Sequence, residues 1–177
     1  MLGRLAKWLR LLGYDTLYYP RIENREILRI ARADNRILLT RDTRLVKIRG
    51  LQNIANHRTP RPHRFASQSE AVGRRGGRQD SEYGIKYFFV NENNYFGQLK
   101  EIISAFNLKD FSIMSRCAVC NAVLCSVSKD QAKDHIPEYI YRNSDVFRQC
   151  SGCGKIYWKG THPEKFREKL AEILQMA

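Results

Sequence analysis

Four of the five cysteines stand in two Cys-x-x-Cys pairs: Cys117 and Cys120 in Arg-Cys-Ala-Val-Cys-Asn, Cys150 and Cys153 in Gln-Cys-Ser-Gly-Cys-Gly-Lys. Thiolates at this spacing each grip one edge of a tetrahedron, and two pairs fill the coordination of a Zn²⁺ ion at Zn–S of about 2.3 Å. Four sulfurs leave no open position for a substrate, so such a zinc is structural. Gly152 and Gly154 suit the second pair, because glycine lets the backbone turn tightly enough for both sulfurs to face one point. Disulfides or a redox dithiol would use the same residues. Duplicated pairs separated by a stretch long enough for a hairpin favour zinc. Cys125 is left over and is expected to be a small, buried or half-buried residue.

A second chemistry rests on carboxylates. Asp42 follows the short apolar run Arg36–Thr40, and an acid at the carboxyl end of a parallel strand points into the crevice where α/β sheets bind ligands. Clustered carboxylates there hold Mg²⁺ or Mn²⁺ through oxygen, and the metal activates a water for displacement at phosphorus. Glu23 and Glu26 open the preceding helix and are the candidate companions. Spacing alone leaves Asp42 evenly poised between metal ligand and helix cap, and for Glu23 and Glu26 it favours acids placed at a helix N-terminus over metal ligands. Arg41, Arg44 and Lys47 lie beside Asp42, with Arg49 close by, and would position a phosphate backbone. Lys155, Lys159, Tyr157 and Trp158 near the second cysteine pair could contact phosphate and stack on bases. The two aromatics serve as well to cover the metal, and His162 reads as a structural histidine beside four cysteines.

Secondary structure must position these groups. Leu2, Leu5, Ala6, Leu9 and Leu12 recur at helical spacing, with Gly13 placed as a C-cap glycine. Tyr14–Tyr19 reads as a strand closed by Pro20. Asn24 is the expected cap of a helix carrying Ile27, Leu28 and Ala31, with Asn35 as its left-handed terminator. Arg36–Thr40 is then a buried strand, and strand–helix–strand implies an α/β region with a parallel sheet. Residues 51–84 hold Pro60, Pro62 and Gly-Arg-Arg-Gly-Gly-Arg with little periodicity, and read as a disordered basic insert. Lys86–Val90 is a strand, and Asn94 caps a helix carrying Leu99, Ile102, Ile103 and Phe106 on one face. The expected organisation is an α/β domain over 1–114, a zinc ribbon over 115–163 and a terminal helix over 164–177.

Charge sets the partner class. The chain has 31 Lys and Arg against 18 Asp and Glu, a formal +13. Residues 1–50 hold twelve basic and five acidic residues, whereas 85–177 hold thirteen and ten, so the excess lies toward the N-terminal part. This balance favours a polyanion, above all nucleic acid. The basic, acid-free first fourteen residues resemble a mitochondrial transit peptide in composition, but a packed first helix is the reading preferred. No segment is long and apolar enough to span a membrane. Zinc accounts for four cysteines without an oxidising compartment, and the expected location is cytoplasmic.

Four blocks in order resemble the Mut-7 C-terminal RNase domain family: Met1-Leu-Gly-Arg-Leu-Ala-Lys-Trp-Leu-Arg-Leu-Leu-Gly-Tyr-Asp15-Thr, Arg36-Ile-Leu-Leu-Thr-Arg-Asp42, Ser115-Arg-Cys-Ala-Val-Cys-Asn121, and Cys150-Ser-Gly-Cys-Gly-Lys-Ile-Tyr-Trp158-Lys-Gly-Thr-His162. The resemblance covers 1–50 and about 85–163. It implies a PIN-like nuclease fold fused to a zinc ribbon, and a metal-dependent ribonuclease site with Asp42 as the strand-end acid. Relatives often place Asp where this chain has Asn24, so the resemblance implies Glu23 or Glu26 as the substitute if any residue takes that role. Asp15 matches the Gly-Tyr-Asp block without an assignable role. Ahead of the first helix the family has a short strand ending in a metal-binding Asp, and here Met1 begins at the helix. Either the start lies downstream of the true one, the preferred reading, or this copy lacks the strand. Weak or no catalysis is expected for the chain as written. The alternative is a non-catalytic RNA-binding or regulatory zinc-ribbon protein, and a thiol redox protein stands third.

Overall fold

The computed structural model describes residues 2–54 and 84–158, together with Glu168, Leu170, Ala171 and Glu172. It divides into two compact units: Ile22–Phe89, and Met1–Arg21 joined with Val90–Ala177. The expected 1–114 segment is thus shared between both units.

The Ile22–Phe89 unit is an α/β layer. Its helix α2 (Asn24–Ala33) follows α1 (Gly3–Leu11) in the chain. Strands β1 (Leu38–Thr40), β2 (Leu51–Asn53) and β3 (Ile85–Phe89) form an all-parallel sheet in the order β1-β3-β2. Ala31, Leu38, Leu45 and Ile85 make its buried cluster, with Ile27, Leu28, Leu51 and Tyr87 packed around them. Parallel strands need crossovers, and α2 supplies the apolar face that covers the sheet. Asn35 ends α2 at φ 48°, with Arg36 N–H donating to Ala31 O at 2.8 Å, the left-handed stop the sequence predicts. The sheet extends into the range read as an insert: residues 51–53 pair with β3 rather than opening a disordered loop. The rest of that insert, residues 55–83, lies outside the described residues.

In the other unit, α1 packs against α3 (Tyr95–Ala105), burying Leu5, Ala6, Leu9, Leu12, Leu99, Ile102 and Ile103. Trp8 stacks on Tyr95 with ring centroids 5.9 Å apart. Asn94 caps α3 by accepting the Gly97 N–H at 2.8 Å. Gly13 ends α1 at φ 98°, where a Cβ would meet Ser112 O at 2.7 Å, so only glycine fits. Tyr14–Tyr19 does not form the expected strand. Thr16 at its centre bonds side chains instead of a neighbouring strand: Thr16 N–H donates to Asn121 Oδ1 at 3.0 Å, and Thr16 O accepts from Arg10 Nε at 2.7 Å.

Three antiparallel strands follow, in the order β4 (Leu124–Val127), β5 (Phe147–Cys150), β6 (Ile156–Trp158). Between β4 and β5 run α4 (Lys129–Ala132), begun by a Ser128/Gln131 capping box, and α5 (Glu138–Asn143). Ala132, Phe147 and Ile156 form a small core there, with Trp158 packed on it. Cys125 on β4 is exposed, not buried, because strand alternation turns it away from the face carrying Leu124. Of the expected terminal helix, Glu168, Leu170, Ala171 and Glu172 are helical and Leu170 is buried; the remainder lies outside the described residues.

Candidate metal centre and strand-end carboxylate

The two cysteine pairs repeat one local frame. Asn121 N–H donates to Cys117 O at 2.9 Å, Cys117 N–H to Ala122 O at 2.8 Å, and Cys120 N–H points at Cys117 Sγ at 3.5 Å. The second pair matches it: Gly154 N–H to Cys150 O at 3.0 Å, Cys150 N–H to Lys155 O at 2.9 Å, and Cys153 N–H to Cys150 Sγ at 3.3 Å. The fourth residue after each leading cysteine is left-handed, Asn121 at φ 74° and Gly154 at φ 71°. Gly152 serves close approach, since a Cβ there would lie 2.9 Å from Ala122 Cβ and 3.4 Å from Cys120 Sγ.

All four ligand sulfurs lie within 4.8 Å of one another. Cys117 and Cys153 Sγ are 3.6 Å apart, and Cys120 and Cys150 Sγ 3.2 Å. A tetrahedron with 2.3 Å metal–sulfur bonds has edges of about 3.8 Å, so the donor set fits a metal ion such as zinc with small adjustments. The leading cysteines, Cys117 and Cys150, are buried, while Cys120 and Cys153 face outward.

The Tyr157 hydroxyl is held between Ala118 N–H, which donates to it at 3.1 Å, and Cys117 Sγ, also at 3.1 Å, to which it can donate. Burial opposes charge on Cys117, but the Tyr157 hydroxyl and the amides of Cys120 and Val119 outweigh it and draw its pKa down to about 6. Cys120 has the help of the Ala122 amide, yet its sulfur neighbours, Cys150 foremost, push it up to about 12. Burial, then the bond to Cys117, raises Tyr157. Of the two aromatics expected to cover the metal, Tyr157 packs against Cys117, Leu124 and Cys150, and Trp158 packs on the other face of β6.

Arg10, only 5 % exposed, donates to the carbonyls of Ala118 at 3.2 Å and Val119 at 2.8 Å, the two residues inside the first Cys-x-x-Cys. Asn121 donates to Asp15 Oδ1 at 2.7 Å, and Arg116 lies 4.0 Å from the same carboxylate. Burial lowers the Arg10 pKa, while negative charge on Cys117, Cys120 and Asp15 raises it. Sequence reading left Arg10 and Asp15 without roles. The signal for Arg10 was its place four residues after Ala6, on the apolar stripe of α1.

Asp42 stands two residues beyond β1, exposed at the carboxyl end of the parallel sheet. Its Oδ1 accepts Arg44 N–H at 2.8 Å, and its own N–H donates to Thr40 Oγ1 at 3.0 Å. Glu26 forks onto Arg29 at 2.7 and 2.9 Å, and that bond lowers its pKa. Glu23 is the residue before α2 and makes no side-chain cap; helix α2 begins at Asn24, one residue earlier than a cap at Asn24 implies. Among the described residues, the four cysteines are the one group of three or more His, Cys, Asp or Glu whose ligand atoms converge. Arg44 and Lys47 are exposed and Arg41 half-buried; Lys155 Nζ sits 5.9 Å from the Tyr157 ring centroid; Lys159 lies outside the described residues.

Fold and donor set together define a mixed α/β chain with a parallel three-stranded sheet and a compact four-cysteine ribbon. A model of the Mut7-C RNAse domain matches residues 1–170, and the chain belongs to that family. Membership supports a ribonuclease-like function and implies RNA as the substrate class. Comparison with curated proteins and with solved structures gave no match. Among the described residues no helix is long and apolar enough to cross a membrane.

Proposed function

We propose that the chain is a cytoplasmic, PIN-like ribonuclease whose phosphodiester chemistry uses Asp42, with Glu23 or Glu26 as companion and a structural zinc on Cys117, Cys120, Cys150 and Cys153. The supporting observation is Asp42 at the carboxyl end of an all-parallel sheet, where α/β folds take their ligands, with Arg41, Arg44 and Lys47 beside it. A bound Mg²⁺ or Mn²⁺ would supply an activated water and neutralise charge developing at phosphorus. Asp42 has one carboxylate oxygen engaged by Arg44 N–H, leaving lone pairs for a cation. Arg41, Arg44 and Lys47 in one unit, and independently Lys155 and Lys159 in the other, would bind an RNA backbone without reading its sequence. Mn²⁺-dependent cleavage of single-stranded RNA tests this: cleavage abolished by Asp42→Asn supports it, and metal-independent cleavage untouched by that change refutes it.

A non-catalytic RNA-binding role has its own support. Glu26 is already paired with Arg29, and among the described residues no third carboxylate joins Asp42. That reading expects binding that weakens steeply with salt and hardly responds to Mg²⁺.

A further inference from the structure

We propose that Arg10 is a positioning residue of the cysteine metal centre, so that metal loading and docking of the end of α1 form one linked equilibrium. The proposal rests on the metal reading of the four cysteines. A guanidinium only 5 % exposed is a costly group unless charge compensates it. Its three hydrogen bonds go to neutral carbonyls, those of Thr16, Ala118 and Val119. A divalent ion on four thiolates carries two net negative charges, shared over four sulfurs of which two, those of Cys117 and Cys120, flank Ala118 and Val119. Asp15 is one negative charge near Arg10, and loading adds counter-charge at the place where Arg10 is anchored.

Geometry gives the link a second strand. Asn121, the left-handed residue that closes the first knuckle, is 6 % exposed. Its side chain accepts Thr16 N–H at 3.0 Å and donates to Asp15 at 2.7 Å. Thr16 O in turn accepts from Arg10. One knuckle thus fixes the segment after α1 through both backbone and side chain, and a knuckle that loosens without metal releases that segment. Coupling of this kind is reciprocal: if metal favours docking, docking favours metal by the same factor.

Two measurements on the full chain test this. Co²⁺ titration, followed by thiolate-to-metal absorbance, reads affinity; amide hydrogen exchange reads docking. Arg10→Gln is expected to weaken Co²⁺ by about tenfold or more, as loss of a partner outside the ligand shell typically does. Arg10→Lys, which keeps the charge, is expected to recover part of that loss, and Arg142→Gln, on the exposed pair with Glu138, to change nothing. Metal removal from the unaltered chain is expected to strip protection from the Thr16 amide while Ile102 and Ile103 in α3 keep theirs. Equal affinity in the folded Arg10→Gln chain overturns the linkage, as does unchanged Thr16 protection or a uniform loss that includes α3. If Arg10→Gln does not fold, the exchange comparison on the unaltered chain decides. No Co²⁺ uptake by the unaltered chain overturns the metal reading itself, whereas uptake without these effects overturns the linkage alone.

Discussion

The cysteine ribbon and the strand-end acids are two candidate metal sites built on opposite principles. In the ribbon, each pair of ligands comes from one tight knuckle whose amides and left-handed residue aim both sulfurs at one point. At the sheet, Asp42 follows β1 while Glu23 and Glu26 stand at the start of α2, and each carboxylate is near local partners or solvent. A soft, four-sulfur site is therefore preorganised by local backbone. A carboxylate site depends on long-range placement and on what else is bound.

The sharpest way to break the contrast is to remove the ribbon's metal. Chelation or Cys117→Ser is expected to unfold β4–β6, because binding free energy in structural zinc modules is folding free energy, on the order of 10 kcal/mol. Amide exchange checks it: β4–β6 lose protection while β1–β3 keep theirs. Acid acts in the same direction, since protons and metal compete for the same sulfurs. With Cys117 drawn down to about 6 and Cys120 pushed up to about 12, metal displaces a proton from Cys120 across the neutral range. Each displaced proton makes affinity rise about tenfold per pH unit. A pH series of Co²⁺ titrations reads that slope, and an affinity flat between neutral and mildly alkaline pH contradicts it.

Asp42→Asn is expected to do the reverse. It removes Mn²⁺-dependent RNA cleavage, while stability changes by about 1 kcal/mol or less, since one exposed turn bond to Arg44 N–H is at stake. A denaturant midpoint and a cleavage assay on the same sample separate the two effects.

Within the ribbon, smaller changes grade how much the preorganisation contributes. Gly152→Ala forces a Cβ to 2.9 Å from Ala122 Cβ, and is expected to destabilise the loaded ribbon by about 1–3 kcal/mol. Tyr157→Phe keeps the packing against Cys117 but removes the hydroxyl between Ala118 N–H and the sulfur. Metal affinity is expected to fall about tenfold, measured by competition with a chelating dye.

The same contrast explains what was legible in the sequence. Cys-x-x-Cys, Asn121 and Gly154 are local marks of a local structure, so the ribbon could be read from spacing. Gly13, Asn35 and Asn94 were legible for the same reason, each satisfying backbone groups within a few residues of itself. Tyr14–Tyr19 was misread because apolar, aromatic residues mark an extended chain but not its partner. Here that partner is an asparagine side chain more than a hundred positions away. Leu51–Asn53 was missed since three residues pairing with β3 across a long separation leave no periodicity to detect. Arg10 was visible only as a charge on an apolar stripe, whose meaning depends on two carbonyls in a distant knuckle.

The smallest expected effect bears hardest on the sheet site. Glu26 and Arg29 form a bidentate pair on the solvent side of α2, with side chains 46 % and 69 % exposed. Pairs that open to water contribute little, so Glu26→Gln is expected to leave the thermal midpoint unmoved. Its effect on RNA cleavage then carries information that a stability change would have blurred. If cleavage falls together with Mn²⁺ affinity, Glu26 leaves Arg29 to join Asp42 when metal binds, and the dispersed acids are the unloaded form of one site. If cleavage persists and Glu23→Gln abolishes it, the companion acid is the residue before α2, which has no side-chain cap to give up. If neither matters while Asp42→Asn does, Asp42 acts without a companion from α2, and the sheet holds its cation by means the ribbon comparison does not anticipate.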